Sequence, residues 1–311
     1  MILVTVNILF TLISSAPLTD FTTDRDALLA FKKAITVDTD GVLSNSWLTN
    51  TSICVWAGVT CGIKHHRVTA LNLSNFALHG NLSPHLGNLT FLRSLDVSSN
   101  NFTGILPTEL SKLHRLKHLS ASSNNFSGEI PGVILTNMSV LEYIDLRSNN
   151  LSGALPSDMC NNTPKLKILV LRENQIYGNI PRSIYKCSEM QKLGLSMNML
   201  SGNLPTEVGN LSMLTVLSLY DNDLQGNIPS SVFNVSRLEF IYLSGNTLSG
   251  CIPKEIGSLT SLKYLYLYYN NLTGHIPRQF GNLSSLLGLN IASNKLAGIH
   301  DHIITKFLLV F

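Results

Sequence analysis

A ten-residue pattern, Leu-x-Leu-x-x-Asn-x-Leu-x-Gly, recurs along most of this chain and constrains its fold more than any other feature. Its Asn stands at Asn100, Asn124, Asn149, Asn174, Asn198, Asn222, Asn246, Asn270 and Asn294, at intervals of 24 or 25 residues. An earlier unit has Leu71, Leu73, Leu78 and Gly80 in register but Phe76 in place of the Asn, so ten units carry nine such asparagines. A period of this length is the signature of stacked coils, none of which buries its apolar side alone.

The spacing within a unit has a direct physical reading. Residues five and three before each Asn, such as Leu95 and Val97 or Leu265 and Leu267, turn inward with the period of two of a short strand, and those between them face out. Each Asn closes a strand, where its amide is expected to pair with main-chain groups of the next coil that burial would leave unsatisfied. Four residues on comes a Gly (104, 128, 153, 178, 202, 226, 250, 274), at a turn where a Cβ is costly. The Ile or Leu and then Pro that follow (Pro107, Pro131, Pro156, Pro181, Pro205, Pro229, Pro253, Pro277) predict a second extended segment on the flank. The expected fold is an α/β leucine-rich-repeat solenoid with short parallel strands on its concave face.

The repeats occupy about 68–298, and both ends of such a stack need caps. Residues 22–67 predict a small helical cap. Thr23-x-x-Asp26 reads as a capping box at a helix start, and Leu28, Phe31 and Ile35 recur on one helical face. Trp47, Trp56 and the pair Cys54/Cys61 follow; the local loop fits a disulfide, and a zinc site with His65 and His66 is the alternative. Ile2 to Ile13 is mostly Ile, Leu, Val and Phe and ends in Ser14-Ser15-Ala16, as a secretory signal peptide over 1–16 would, and it is shorter than the ~20 residues that span a bilayer. No other apolar stretch has membrane length, so the chain is expected in the secretory pathway, in the extracellular space or at the outer face of the plasma membrane. After Gly298 the pattern breaks off into a divergent tail, 299–311, that begins Ile299-His300-Asp301.

Only 13% of the 311 residues are charged, against roughly 25% in an ordinary soluble protein, while 44% are hydrophobic, which excludes disorder. A net charge of +3 from interspersed residues predicts no basic stripe, so nucleic acid is not an expected partner.

Asp26-Ala27-Leu28-Leu29-Ala30-Phe31-Lys32, then Trp47, then Cys54-x-Trp56-x-Gly58-Val59-x-Cys61, then repeats with Gly-x-Ile-Pro, together resemble the ectodomain of plant leucine-rich-repeat receptor-like kinases over about Asp24 to Gly298. The style is that of the receptors for bacterial flagellin and elongation factor and of the rice bacterial-blight resistance receptor. The resemblance implies plant-type repeats, recognition of a peptide or microbial pattern on the concave face, and recruitment of a co-receptor kinase. Kinase motifs are absent from this sequence, as is a Gly-x-Ser-x-Gly elbow, so no enzyme activity, cofactor or metal is expected. The alternatives are a secreted protein resembling polygalacturonase inhibitors and a non-functional receptor fragment.

Outward positions lie six, four, two and one before each Asn. Forty such positions would hold roughly one of the nine tyrosines if these were spread evenly, yet seven are there: Tyr143, Tyr220, Tyr242, Tyr264, Tyr266, Tyr268 and Tyr269, joined by Phe240. Strand propensity accounts for part of the excess, but six of the seven fall in three consecutive units. With Asp221 at its edge, this patch is the candidate ligand site. Upstream on the same face, Asp145, Arg147, Arg172, Glu173 and Lys192 form a mixed-charge zone; Arg147 and Arg172 are its candidates for fixing a peptide's register, and a plain solvated surface is the alternative.

Glycan acceptor sequences occur at Asn50, Asn72, Asn81, Asn88, Asn101, Asn125, Asn137, Asn150, Asn161, Asn210, Asn234, Asn271 and Asn282. A glycan on Asn72 would block the concave face of the first unit. Cys160 and Cys187 lie on neighbouring coils, where a disulfide and a buried thiol at Cys187 are both compatible with the pattern, and Cys251 has no evident partner.

Overall fold

The computed structural model describes residues 21–298; the signal-peptide segment and the divergent tail lie outside them. The chain winds into a stack of coils, each contributing one strand to each of two sheets. Ten short parallel strands, one per unit from Val68–Asn72 to Gly288–Asn290, form the concave sheet together with the antiparallel cap strand Val59–Cys61 at its start. Register holds from coil to coil: Phe240 stands beside Tyr264, Ile241 beside Leu265 and Tyr242 beside Tyr266. Inward residues such as Leu95, Leu119, Leu217 and Leu265 are fully buried in one continuous core.

The second extended segment exists, but it lies ahead of the Ile-Pro pair. Strands such as Gln175–Asn179 and Asp223–Asn227 start just after the ladder Asn and run through the Gly, forming the second parallel sheet. Prolines 107, 181, 205, 229, 253 and 277 instead cap short 3-10 turns on the convex side. A ring with fixed φ and no N–H suits that junction, where a ladder hydrogen bond could not be made. The central Gly of each second strand has positive φ, +80° at Gly178, which a side chain would strain.

All nine ladder asparagines work alike, and their partners are on the preceding coil rather than the next. Asn222 Oδ1 accepts from the Leu200 N–H at 3.0 Å, while its Nδ2 donates to the Leu195 carbonyl at 3.1 Å and to its own coil's Leu219 and Tyr220 carbonyls. Asn100 reaches back in the same way to Leu78 and Leu73 across the cap-proximal coil.

The cap departs from the expected pattern in two places. Helix Phe21–Ala34 already contains Thr23 in its first turn, so Thr23 is not the helix cap, and Ile35 sits in a strand, Ile35–Asp38, that pairs antiparallel with Leu78–Asn81. Phe31 packs against Trp47 and, across the boundary, against Phe102 of the second unit. Trp47 stacks on Trp56 at 5.2 Å. Cys54 and Cys61 form a disulfide, which removes the zinc alternative; Cys160 and Cys187 form a second, buried between coils, and Cys251 is a free, exposed thiol.

Stacking also aligns charges. Glu142, seven residues before its Asn, accepts from Lys117 at 2.7 Å and Lys167 at 2.8 Å on the coils to either side. These two hydrogen bonds, Lys117 first, hold its carboxyl down to about 2, against a partial opposing effect of burial. A lowered folded value means the pair stabilises the fold above the ordinary carboxylate range and is lost as pH falls toward 2. In a carboxyl NMR titration Glu142 is expected to titrate near pH 2, and in K117Q/K167Q to return toward its ordinary range; an ordinary midpoint in the wild type would refute the clamp.

Candidate functional site

Six of the predicted aromatic residues, Phe240, Tyr242, Tyr264, Tyr266, Tyr268 and Tyr269, form one contact-linked array on the concave face, whereas Tyr143 packs against His118 outside it. Because parallel strands sit in register about 4.8 Å apart, residues 24 apart become side-by-side neighbours. Phe240 stacks on Tyr264 at 5.6 Å with planes 7° apart, Tyr242 meets Tyr266 at 5.3 Å, and Tyr266, Tyr268 and Tyr269 continue the array at 6.2 and 5.5 Å. Each ring is half-buried by its neighbours except Tyr269, which is 65% exposed. Burial pushes the Tyr242 hydroxyl upward in pKa, with Tyr266 and Tyr264 adding to the shift, so it stays a neutral hydrogen-bonding group at pH 7.

Tyr269 occupies a strained position. The residue before each ladder Asn is left-handed, and Ser fills it at Ser99, Ser123, Ser148 and Ser293. At Tyr269 an aromatic residue adopts φ 53°, a conformation costing roughly 1–2 kcal/mol for a side chain of this kind. Asp221 holds the same position two coils earlier at φ 53°, leaning over Gly245, where any Cβ would collide with its carboxylate. Gly288 does the same for Tyr264 and Tyr266: a Cβ there would stand 2.6 Å from the Tyr264 ring.

Tyr220 lies on the same face but contacts Arg172 and Met197 and not the rings of the array. Arg172 lies over its ring at 5.8 Å, and Met197, on the coil between, accepts from both the Arg172 guanidinium at 3.4 Å and the Tyr220 hydroxyl at 3.8 Å. Arg172 Nε is buried without an acceptor among the described residues, and no carboxylate there pairs with this guanidinium. Arg147 is different: it bonds Asp145 at 2.6 Å, and Tyr143 donates to the same carboxylate. The mixed-charge zone therefore divides, with Arg172 held against Tyr220 and Met197 and Arg147 occupied by its own strand. Glu173 accepts from Ser148, and Lys192 has no ion pair among the described residues.

Three contributors went unread at the level of sequence: Met197, Gly288 and the pair Lys263–Glu239, whose ammonium lies 2.6 Å from the carboxylate and 6.0 Å from the Phe240 ring. Lys263 and Glu239 are both seven residues before their Asn, so writing the chain one repeat per row would have revealed them. Of the thirteen glycan acceptors, twelve are exposed, Asn72 on the concave face as expected; Asn101 is half-buried against His79 and Asn125. Among the described residues no cluster of metal-ligating side chains occurs, and no helix is long and apolar enough to cross a membrane.

Comparison with known proteins places this geometry. A leucine-rich repeat region model matches residues 145–308, a leucine-rich repeat N-terminal domain model matches 21–62, and single leucine-rich repeat models match 91–113 and 115–136. The LRR receptor-like serine/threonine-protein kinase EFR of Arabidopsis thaliana is 44% identical over 80 residues, 26% of this chain and only 8% of the kinase. Among solved structures, PEPR1 with AtPEP1 superposes with TM-score 0.79 and 32% identity over 88% of this chain and 42% of that one. The Arabidopsis receptor kinase HAESA with the peptide hormone IDA and the co-receptor SERK1 gives 0.70 and 30% over 88% and 50%. A plant ice-binding protein gives 0.79 and 30% over 89% and 87%. With its repeat model matched over more than half its length and the cap model ahead of it, the chain belongs to the leucine-rich repeat family, in the form seen in plant receptor-like kinase ectodomains.

Proposed function

We propose that this chain is the extracellular recognition module of a plant immune or developmental receptor, binding a peptide or microbial pattern over the aromatic area of its concave face, with a co-receptor kinase ectodomain as second partner. The observation that carries the reading is Tyr269, an exposed aromatic held in a left-handed backbone conformation at the edge of a stacked tyrosine array. The left-handed backbone is common to every coil at this position; what sets Tyr269 apart is that the coil there holds a large aromatic side chain exposed on the concave surface. Structures similar to this chain are of receptors with peptides bound, and one also contains a co-receptor. Likeness to an ice-binding protein shows that the coil frame serves unrelated ligands, so the proposal rests on the tyrosines and not on the fold. No catalytic role is part of it.

Tyr side chains contribute large contact area at low entropic cost, and clustered ones dominate interface energetics. Removing three, Y242A/Y266A/Y268A, is expected to weaken elicitor binding roughly 30-fold or more in calorimetry, with unfolding otherwise cooperative. Retained affinity in a folded triple variant would end the concave-patch reading. Inhibition of a fungal polygalacturonase by the wild-type chain would favour the inhibitor class instead.

A further inference from the structure

One edge of the coil, where the chain returns from the convex 3-10 turn to the concave strand, carries a cationic track. Its column seven residues before each Asn position runs Thr69, Arg93, Lys117, Glu142, Lys167, and consecutive members are joined coil to coil, each backbone N–H donating to the previous carbonyl at 2.8–2.9 Å. Two residues earlier in each unit stand Arg67, Phe91, Arg115, Val140 and Lys165. Phe91 is clamped between two guanidinium groups, Arg67 at 4.7 Å and Arg115 at 4.0 Å, with His65 against its ring at 4.6 Å. Six cations thus face three acids: Asp24, which is buried against Arg67, Glu142, which is shared by Lys117 and Lys167, and Glu189, which lies 3.8 Å from Lys167. Arg93, Arg115 and Lys165 are exposed and have no carboxylate partner among the described residues.

Two contrasts set this edge apart. The same two columns continue through Glu189, Gln191, Met213, Thr215, Arg237, Glu239, Ser261 and Lys263, where cations and acids balance. The glycan acceptors fall on the cap, the concave face at Asn72, the second sheet and the convex side, and none falls in either column of this edge. The expectation that interspersed charges make no basic stripe fails for a geometric reason: winding places residues 24 apart in sequence beside one another in space.

We propose that this edge, over the first five units, binds a linear acidic polysaccharide bearing a carboxylate on each sugar. Exposed cations set apart by whole coils, with Arg93, Arg115 and Lys165 lacking a carboxylate among the described residues, suit a stiff polyanion with regularly recurring charges. Phe91, already covered by two guanidinium groups, offers no free face for stacking a nucleobase, which a nucleic-acid site of this size would use.

Polygalacturonate serves as the probe, titrated against the full chain at low ionic strength, with neutral dextran and a single-stranded oligonucleotide of matched charge as comparisons. R93Q/R115Q/K165Q is expected to bind polygalacturonate roughly tenfold more weakly, since each lost contact also forfeits counterion release, with unfolding still cooperative and only slightly lowered by loss of the Arg115–Phe91 contact. E142Q, which frees Lys117 from its acid and leaves Lys167 only the longer contact to Glu189, is expected to bind severalfold more tightly, and R237Q/K263Q to bind as wild type. Wild-type affinity in the triple variant, an equal loss in R237Q/K263Q, equal binding of dextran, or tighter binding of the oligonucleotide would each overturn the proposal.

Discussion

Replacing Asp24 by Ala is expected to lower the unfolding free energy by about 3–5 kcal/mol, the usual loss when one partner of a buried ion pair is removed. Asp24 sits in the first turn of helix Phe21–Ala34, fully buried, and its carboxylate accepts from Arg67 Nε at 2.9 Å, Arg67 Nη2 at 2.7 Å and the Val68 N–H at 2.8 Å. Three elements meet there: the cap helix, the entry to the first concave strand, and the Phe91 cation cluster. Without the carboxylate, a buried guanidinium loses its counter-charge and the first strand's N–H its acceptor. Because the cap covers the apolar end of the stack, its loss should appear first in the fluorescence of Trp47 and Trp56, ahead of the far-ultraviolet signal of the repeats. D24A/R67M, which removes the charge with its partner, is expected to recover most of the loss. A D24A variant within about 0.5 kcal/mol of wild type would show that the pair does not hold the cap.

Asn222→Ala is expected to cost roughly 3 kcal/mol or more, again from groups left behind rather than from the side chain removed. Its amide satisfies the Leu200 N–H and three carbonyls, and both Leu195 and Leu200 are essentially without solvent access. No water can replace it there without opening the coil. Asn222→Asp sharpens the test, because the shape is kept while the donor is lost. An ionised carboxylate would face three carbonyl oxygens, so its folded pKa must rise. A raised folded pKa gives stability that is present at low pH and lost as pH rises through it, so N222D should gain on wild type toward pH 4 and fall behind at pH 7. Parallel pH profiles in chemical denaturation would refute this account of the ladder.

The repeat made much of the molecule legible in advance. A period of 24 or 25 determines which residues share a column, and a period of two within the strand determines which of them face outward, so Leu265 in the core and Tyr264 and Tyr266 on the surface follow from spacing alone. The aromatic patch was readable for that reason, and so was the local Cys54–Cys61 bridge. A periodic pattern, however, has no direction. It reads the same toward the preceding coil as toward the next, so it could not say that Asn222 reaches back to Leu195 and Leu200.

What lay outside the period was invisible in the same way. Asp24 and Arg67 are 43 residues apart and neither belongs to a column that repeats on both sides, so their ion pair exists only once the cap is docked. Met197, which ties Arg172 to Tyr220, was an unremarked hydrophobe until two coils closed around it. Glu142 neutralises two lysines, and Arg93 and Arg115 have no carboxylate partner among the described residues, because charge depends on distance in space, while the linear sequence showed those residues only as thinly scattered. Periodicity decides which way side chains point; stacking decides what they meet. In this chain the core and the aromatic face belong to the first, and the cap anchor, the direction of the Asn ladder and the cationic edge belong to the second.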